Sequence, residues 1–594
     1  MAISASTRSV LAMLDELIIL STLDEGSPQS FKVRAYEKAK LSLEADGRDL
    51  TALSAKELTA VDGVGKATAS KIVEFVETGS VEKLDRLRVL YPPEFVELSR
   101  IPGLGPKTLA LVRGELGVEN IEQLKEAIAA EKLRTLPGLG ETSEAKISKS
   151  IERLGLSGKD RRTPIADAFP LAERLVEDLL GLTTVLDAKF CGSLRRMSET
   201  VGDIDITVSS NDPLAVMEAV RTHGEASDII LSGDTKTSFL TAAGLQVDVR
   251  VVAPAQFGAA ILYFTGSKAH NIELRQRAID RGLLLNEYGL LDTSDESLDP
   301  ADRPVVASAT EQDVYEALDM AYVPPPMREG TGEVKAAAFD TDDTTLPEVV
   351  TRADILGDLH YHTDRSGDGR SSVEDMVEVG AQAGYQYLAI TDHGVDLAIN
   401  GSTAEEMLEH REHINEVAAN YPDMTILWGC ELNIGKDGGL DYDSDFRSLL
   451  DYTVASVHSH YDQDVVDQTD RLIAAIADPT VNSIGHLTGR YIGRRPGIEL
   501  DIDVMIDALL EYDVALEING ALQRLDAASD VVRRAVEREV LLVINTDSHH
   551  VSELGRMEYG VHTAQRGWAP KDSVINTWDR DRFLTWCGHT TAGS

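Results

Sequence analysis

The chain has little that would hold it together covalently or seat it in a bilayer. Its 594 residues include three cysteines, Cys191, Cys430 and Cys587, far apart and without paired spacing. That excludes a disulfide framework and a thiolate zinc site. No apolar run reaches membrane-spanning length, and no basic-then-apolar signal opens the sequence, so a cytoplasmic protein with no membrane partner is expected. Positive charge is scarce too: 57 lysines and arginines face 100 aspartates and glutamates, a formal charge of −43. The surplus is spread along the whole chain, as on halophile surfaces, where carboxylates hold water and cations and screening removes self-repulsion. On its face it argues against nucleic acid. The length implies three or more domains.

What is present falls into blocks. Over the first 155 or so residues, helices are separated by glycine turns, and one pattern comes three times: VDGVGKATASKIVEF, IPGLGPKTLALV and LPGLGETSEAKISKS. Gly63/Gly65, Gly103/Gly105 and Gly138/Gly140 permit a tight turn and leave N–H groups exposed at a helix N-terminus, where a phosphate can sit. Lys66 and Lys107 follow the first two turns.

From about 160 to 325 strands mix with helices. In GDIDITVSS alternate residues share a face, so Asp203 and Asp205 stand side by side while Ile204, Ile206 and Val208 face the other layer. Paired carboxylates are kept mainly where a cation bridges them. LQVDVRVV adds Asp248 among valines, and CGSLRR offers a Gly192-Ser193 turn and arginines to phosphate oxygens. Oxygen-only ligands suit magnesium, and two such ions can activate a hydroxyl and neutralise a triphosphate. After the prolines at 324–326 the chain reads as an exposed linker.

Beyond Asp354 come seven apolar strand-like runs separated by helical stretches, the pattern of a parallel sheet closed as a barrel. Twelve of the fourteen histidines lie in this block. The strand ends carry His360, His362, His393, Glu431, His458, His486, Asp547 and His549, with Asp368 in the first loop and Asp364 as its rival. Imidazole with carboxylate suits zinc, manganese or iron, and so many ligands imply two or three ions. Such ions activate water for displacement at phosphorus. Arg490 in HLTGR reads equally as a phosphate ligand or an ordinary surface arginine.

The order HxH, DG, DH, E, H, H, DxH resembles the polymerase and histidinol phosphatase (PHP) family over roughly 354–560. The segments GSLRR, GDIDI, VDVR, LYFTGSKAHNIELR and NEYGL resemble family X DNA polymerases over roughly 8–322. That resemblance implies that Asp203, Asp205 and Asp248 bind metal, with Asp248 accepting the primer hydroxyl proton, and that Ser193 and Arg196 hold the triphosphate. It implies that Tyr263 and Phe264 sit against the sugar, that Asn271 touches the base edge, and that Arg275 contacts the template side. Lys71 falls where lyase members carry their Schiff-base lysine. Tyr36 fits that pattern, but Ala67 stands where a phosphate-binding lysine is expected, so a plain DNA-contacting lysine stays open.

The resulting expectation is a multidomain α+β and α/β chain. Residues 1–90 would form a helix-hairpin-helix, lyase-like domain, 91–158 a fingers-like one, 159–260 a nucleotidyltransferase palm and 261–325 a thumb. Residues 326–353 would be a linker and 354–594 a (β/α)7-type PHP barrel. Its function would be template-directed gap filling in DNA base excision repair with magnesium, as a monomer acting on gapped or primer-template DNA and dNTPs. The barrel, with manganese or zinc, would act as a 3′-5′ exonuclease, in 3′-end processing or as an endonuclease at abasic sites. The acidic total is reconciled by a local basic track of Lys66, Lys71, Lys107, Arg195, Arg196, Lys268, Arg275 and Arg277. Two rivals stay open: a nucleotidyltransferase fused to a small-molecule phosphatase, and a non-catalytic DNA-end binding protein.

Overall fold

A computed structural model describes residues 7–588 apart from 28–29, 47, 49, 62, 100, 102–103, 142, 146, 149–161, 296–297, 299–302, 340–345 and 398–400. The N-terminal block is helical around a core that includes Leu14, Leu17, Leu43, Leu84 and Phe95. Helix α1 (Lys66–Thr78) starts at Gly65 and α2 (Pro106–Leu116) at Gly105. Both starting glycines are extended, and each helix ends on a left-handed glycine, Gly79 or Gly117. Gly63 needs to be glycine twice over: its φ is +76°, and a Cβ there would strike the Lys38 side chain. Gly103 lies outside the described residues. Gly138 repeats the left-handed turn at φ +80°.

The next unit is a five-stranded sheet of β1 (Val185–Phe190), β2 (Asp203–Ser210), β3 (Asp228–Ser232), β4 (Lys236–Leu240) and β5 (Gln246–Val252), ordered β1-β2-β5-β4-β3. Only β2 and β5 run parallel. Ile204, Ile206, Val208, Val247 and Val249 bury one face in a core shared with the helix α3 (Ile165–Leu180). Strand alternation therefore leaves the three aspartates on the other face. Helix α4 (Phe257–Thr265) is apolar nearly all round and buried. It stops at Gly266, φ +69°, and α5 (Lys268–Asp280) restarts with the Ser267 hydroxyl accepting from the His270 N–H. A three-stranded sheet follows: β6 (Leu283–Asn286), β7 (Gly289–Asp292) and β8 (Val305–Ala307).

The segment expected to be an exposed linker is packed where it is described. Met327, Val334 and Ala337 belong to the core beneath this sheet, and Arg328 and Glu333 are fully buried. Partners explain the burial of both charges: Arg328 pairs with Glu311 at 2.5 Å, and Glu333 with His270 at 2.7 Å.

The last unit holds seven parallel strands in sequence order: β9 (Gly357–Tyr361), β10 (Tyr387–Ile390), β11 (Thr425–Asn433), β12 (Tyr452–Ser456), β13 (Ser483–Ile484), β14 (Ala515–Asn519) and β15 (Leu542–Asn545). Every expected run is there, VNSIGHL contributing only two strand residues. The barrel nearly closes. Where β9 meets β15 the ladder is one isolated bridge, Tyr361 to Ser548, and side chains complete it. Asn545 accepts from the Leu359 N–H at 3.0 Å, Asp358 from the Thr546 N–H at 3.2 Å, and Asn576 bonds both strands at the far end. The following helix α6 (Arg556–Arg566) lies against the unit of the five-stranded sheet: Tyr559 packs edge-on against Phe169 at 5.0 Å, and Leu522 and Leu525 join its core. No helix among the described residues is long and apolar enough to cross a membrane.

Candidate active sites

The register of β2 against β5 sets Asp205 opposite Asp248 and Asp203 opposite Gln246. Burial first, and then repulsion from Asp203 and Asp248, push the Asp205 carboxyl up to about 7. Burial works against Asp248 as well, but hydrogen bonds from Lys236 at 2.8 Å and Gln246 at 2.9 Å hold its carboxyl below the ordinary range. Three converging carboxylates, one of them protonated near neutrality when uncompensated, match the donor set of a hard divalent cation. Gly192, at φ +61°, closes over them, since a Cβ there would come within 2.7 Å of Asp205 Oδ2. This brings the Ser193 turn beside the aspartates.

The flanking residues also converge. Tyr263 and Phe264 pack edge to face at 5.0 Å, Asn271 donates to the Tyr263 carbonyl at 2.8 Å, and Arg275 lies over the Tyr263 ring at 5.0 Å. Arg196 donates to Glu329 at 2.9 Å and to the Thr265 carbonyl at 2.6 Å. Two members of the expected basic track are not available to a ligand. Arg195 is bidentate with the buried Glu311, and Arg277 holds the carbonyls of Leu318 and Asp319. Lys66, Lys107 and Lys268 are exposed. Lys71 donates to the Ala67 carbonyl and lies 5.9 Å over the Tyr36 ring, and Lys83 approaches that ring at 5.1 Å. Burial, then Lys32, lowers the Lys83 ammonium.

The barrel gathers all nine expected residues at the C-terminal ends of its strands. Glu431 is the hub: His393 and His486 come within 2.9 Å of its oxygens, His458 within 3.3 Å, and His360 and His362 within 3.5 Å. Asp547 stands 3.4 Å from His362, and Asp368 lies 3.4 Å from His549 and 3.5 Å from His393. Gly369 allows the close turn at Asp368, because a Cβ there would overlap the Thr363 carbonyl; Asp364 and Asp368 are both exposed, and it is Asp368 whose carboxylate reaches His393 and His549. His486 and Asp547 have positive φ, +22° and +50°, a region that Asp and His enter more often than most side chains.

The donor chemistry fits metal ions. Three triads, His362/His393/His549, His360/His362/Asp547 and His393/Glu431/His458, each offer ligand atoms within 4.8 Å of one another. Buried His360 Nε2, His362 Nε2, His393 Nδ1 and Glu431 Oε1 have no hydrogen-bond partner despite this proximity. Buried imidazole nitrogens and a carboxylate oxygen crowded together without hydrogen-bond partners form the mixed donor set that a divalent cation takes. Burial opposes charge on Glu431, yet the surrounding imidazoles, His458 foremost, hold its carboxyl well below the ordinary range.

Several residues escaped the sequence reading. Glu517 accepts from His360 Nδ1 at 2.7 Å and from the His486 N–H at 2.6 Å, and Asn433 meets His458 Nδ1 at 2.7 Å. Such partners fix the tautomer and aim of a ligating imidazole. An isolated glutamate inside the apolar run VALEING was the available signal. The cavity over the cluster, about 400 Å³, is rimmed by Arg495, Arg524, Arg556, Tyr461 and Tyr491. Arg490 is not part of it. Its guanidinium holds the carbonyls of Arg524 and Leu525 and pairs with Glu199, just before the strand that carries Asp203, at 2.8 Å.

Comparison with known proteins places most of the chain. Residues 7–81 match a helix-hairpin-helix domain, 95–153 a SAM-like helix-hairpin-helix tandem, 260–329 the DNA polymerase beta thumb and 358–521 the PHP domain. Over 573 residues, 96% of this chain and 97% of the relative, the sequence is 36% identical to the DNA polymerase/3′-5′ exonuclease PolX of Bacillus subtilis. Probable phosphatases of Clostridium acetobutylicum and Shewanella oneidensis are 27% and 29% identical over 37% and 39% of this chain and 90% and 93% of their own.

Proposed function

We propose, for a chain that belongs to the family X DNA polymerases carrying a C-terminal PHP domain, template-directed gap filling at the palm and 3′-5′ exonuclease action at the barrel. The observation that carries this reading is the presence of two separate clusters, Asp203/Asp205/Asp248 on one sheet and nine ligand-type residues, Glu431 at their centre, at the barrel mouth. We divide the chain as 159–260 palm, 261–325 thumb and 354–594 phosphoesterase.

In the palm, Asp203, Asp205 and Asp248 would hold magnesium. When bound, it supplies positive charge to a triphosphate and acidity to a hydroxyl. Asp248 takes the primer 3′-hydroxyl proton on a carboxylate oxygen. Ser193 and Arg196 orient the triphosphate, Tyr263 and Phe264 exclude a ribose, Asn271 reads the base edge and Arg275 steadies the template side. The hairpins at Gly63/Gly65 and Gly105, with Lys66 and Lys107, hold backbone phosphates, and Lys71 supplies the amine for a deoxyribose-phosphate lyase step.

In the barrel, the nine residues would hold two or three manganese or zinc ions, whose chemistry is to acidify water and stabilise charge at phosphorus. Arg524, which stands at the cavity beside Asp547, holds the scissile phosphate. We read the protein as a monomeric cytoplasmic enzyme of base excision repair, its acidic surface suited to molar salt.

The test is extension of a labelled primer on one-nucleotide-gapped DNA in molar KCl, comparing wild type, Asp205→Ala and His458→Ala. Loss of extension only in the first, and of primer shortening only in the second, supports two independent sites. Binding without extension in any form would reduce the palm to a DNA clamp and sink the polymerase reading.

A further inference from the structure

Glu329 stands between two arginines that lie 370 residues apart in the chain. Arg196 Nε donates to Glu329 Oε1 at 2.9 Å. Arg566, the last residue of α6 in the barrel, donates through Nη1 to the same oxygen and to the Arg196 carbonyl at 2.9 Å. All three side chains are largely withdrawn from water, with 14%, 24% and 22% exposure for Arg196, Glu329 and Arg566. If Glu329 had Arg196 alone, turning that guanidinium toward a phosphate would strand a half-buried carboxylate, and a buried charge left without its partner is costly. Arg566 removes that cost and pins the main chain from which Arg196 reaches. A second barrel residue, Arg490, grips Glu199 three positions further on.

On the reading of Arg196 as a triphosphate ligand, we propose that Arg566 is a positioning residue of the nucleotide site. It keeps Glu329 neutralised so that Arg196 is free to exchange this carboxylate for the phosphates of an incoming nucleoside triphosphate. The barrel thereby takes part in nucleotide binding without touching the nucleotide.

The experiment is steady-state gap filling by the full-length protein, with KM for dNTP and kcat resolved, alongside the exonuclease rate of the same preparation. Arg566→Ala is expected to raise KM about tenfold, the scale of one charge-assisted hydrogen bond, with kcat and exonuclease rate within about twofold of wild type. Arg566→Lys restores most of the loss. In a Glu329→Gln background Arg566→Ala raises KM by clearly less than in the wild-type background, because the charge it offsets is gone and only its bond to the Arg196 carbonyl is lost. An unchanged KM in Arg566→Ala overturns the proposal, and so does a joint loss of both activities that Glu329→Gln fails to relieve. Arg196→Ala separates the two levels. If it leaves KM for dNTP unchanged, the assignment of Arg196 itself fails. If it raises KM while Arg566→Ala does not, only the role of Arg566 falls.

Discussion

Asp205 faces Asp248 directly across the parallel ladder of β2 and β5, with Asp203 beside them on the same face. Without a cation this arrangement is strained, and burial first, then the two neighbours, raise the Asp205 carboxyl to about 7.

That shift has a definite sign in stability. A folded-state value above the unfolded 3.8 means that the folded protein binds the proton more tightly. In chelator, its stabilising contribution is complete at acid pH and declines as pH rises from about 4 to 7. Asp205→Asn should therefore melt higher than wild type at pH 8 in EDTA, by roughly 1–3 kcal/mol, and about equally at pH 4. Gap filling should fall by roughly a thousandfold or more. Identical melting of the two proteins at pH 8 would contradict the electrostatic account.

Glu517 aims His360 without belonging to the ligand set. Glu517→Ala should weaken manganese activation of the exonuclease about 10- to 100-fold and leave gap filling unaltered. Metal titration of both activities checks this; equal loss of both would mean that the barrel had collapsed.

Arg490 and Arg524 lie on one side of the barrel but serve different partners. Arg490 holds backbone carbonyls and Glu199, whereas Arg524 stands 3.6 Å from Asp547 at the cavity. Arg524→Ala should raise KM for a DNA 3′ end about tenfold, as a lost charged hydrogen bond would, while Arg490→Ala leaves it nearly unchanged. The reverse ranking would restore Arg490 as the phosphate ligand.

For the amine near the first hairpin, borohydride trapping on abasic-site DNA decides. The covalent adduct should vanish in Lys71→Ala and persist in Lys83→Ala. Persistence in the first and loss in the second would move the chemistry to the partly buried Lys83.

The convergence of the strand-end histidines and carboxylates was legible because a parallel barrel forces its strand ends to one mouth. The aspartates were legible for the same kind of reason, a period of two on one strand. What stayed hidden depended on partners remote in sequence. Arg328 and Glu333 read as linker charges because nothing local announces Glu311 or His270 beside them. Arg195 and Arg277 read as DNA contacts for the same reason, their partners lying 116 and 41 residues away. Asp368 could be preferred over Asp364 only through the glycine after it.

The thin line of side-chain bonds between β9 and β15 has a bearing on folding. His360 and His362 belong to the first strand and its exit, Asp547 and His549 to the exit of the last, and two of the three triads draw on both. Ions bound there would tie the two edges of the sheet together, as a clasp closes a bracelet, so metal affinity and barrel closure are expected to rise and fall as one quantity. Stripping the metal should first loosen that edge, and amide protons of Leu359, His362 and Thr546, which bond across it, should be the earliest in the barrel to exchange.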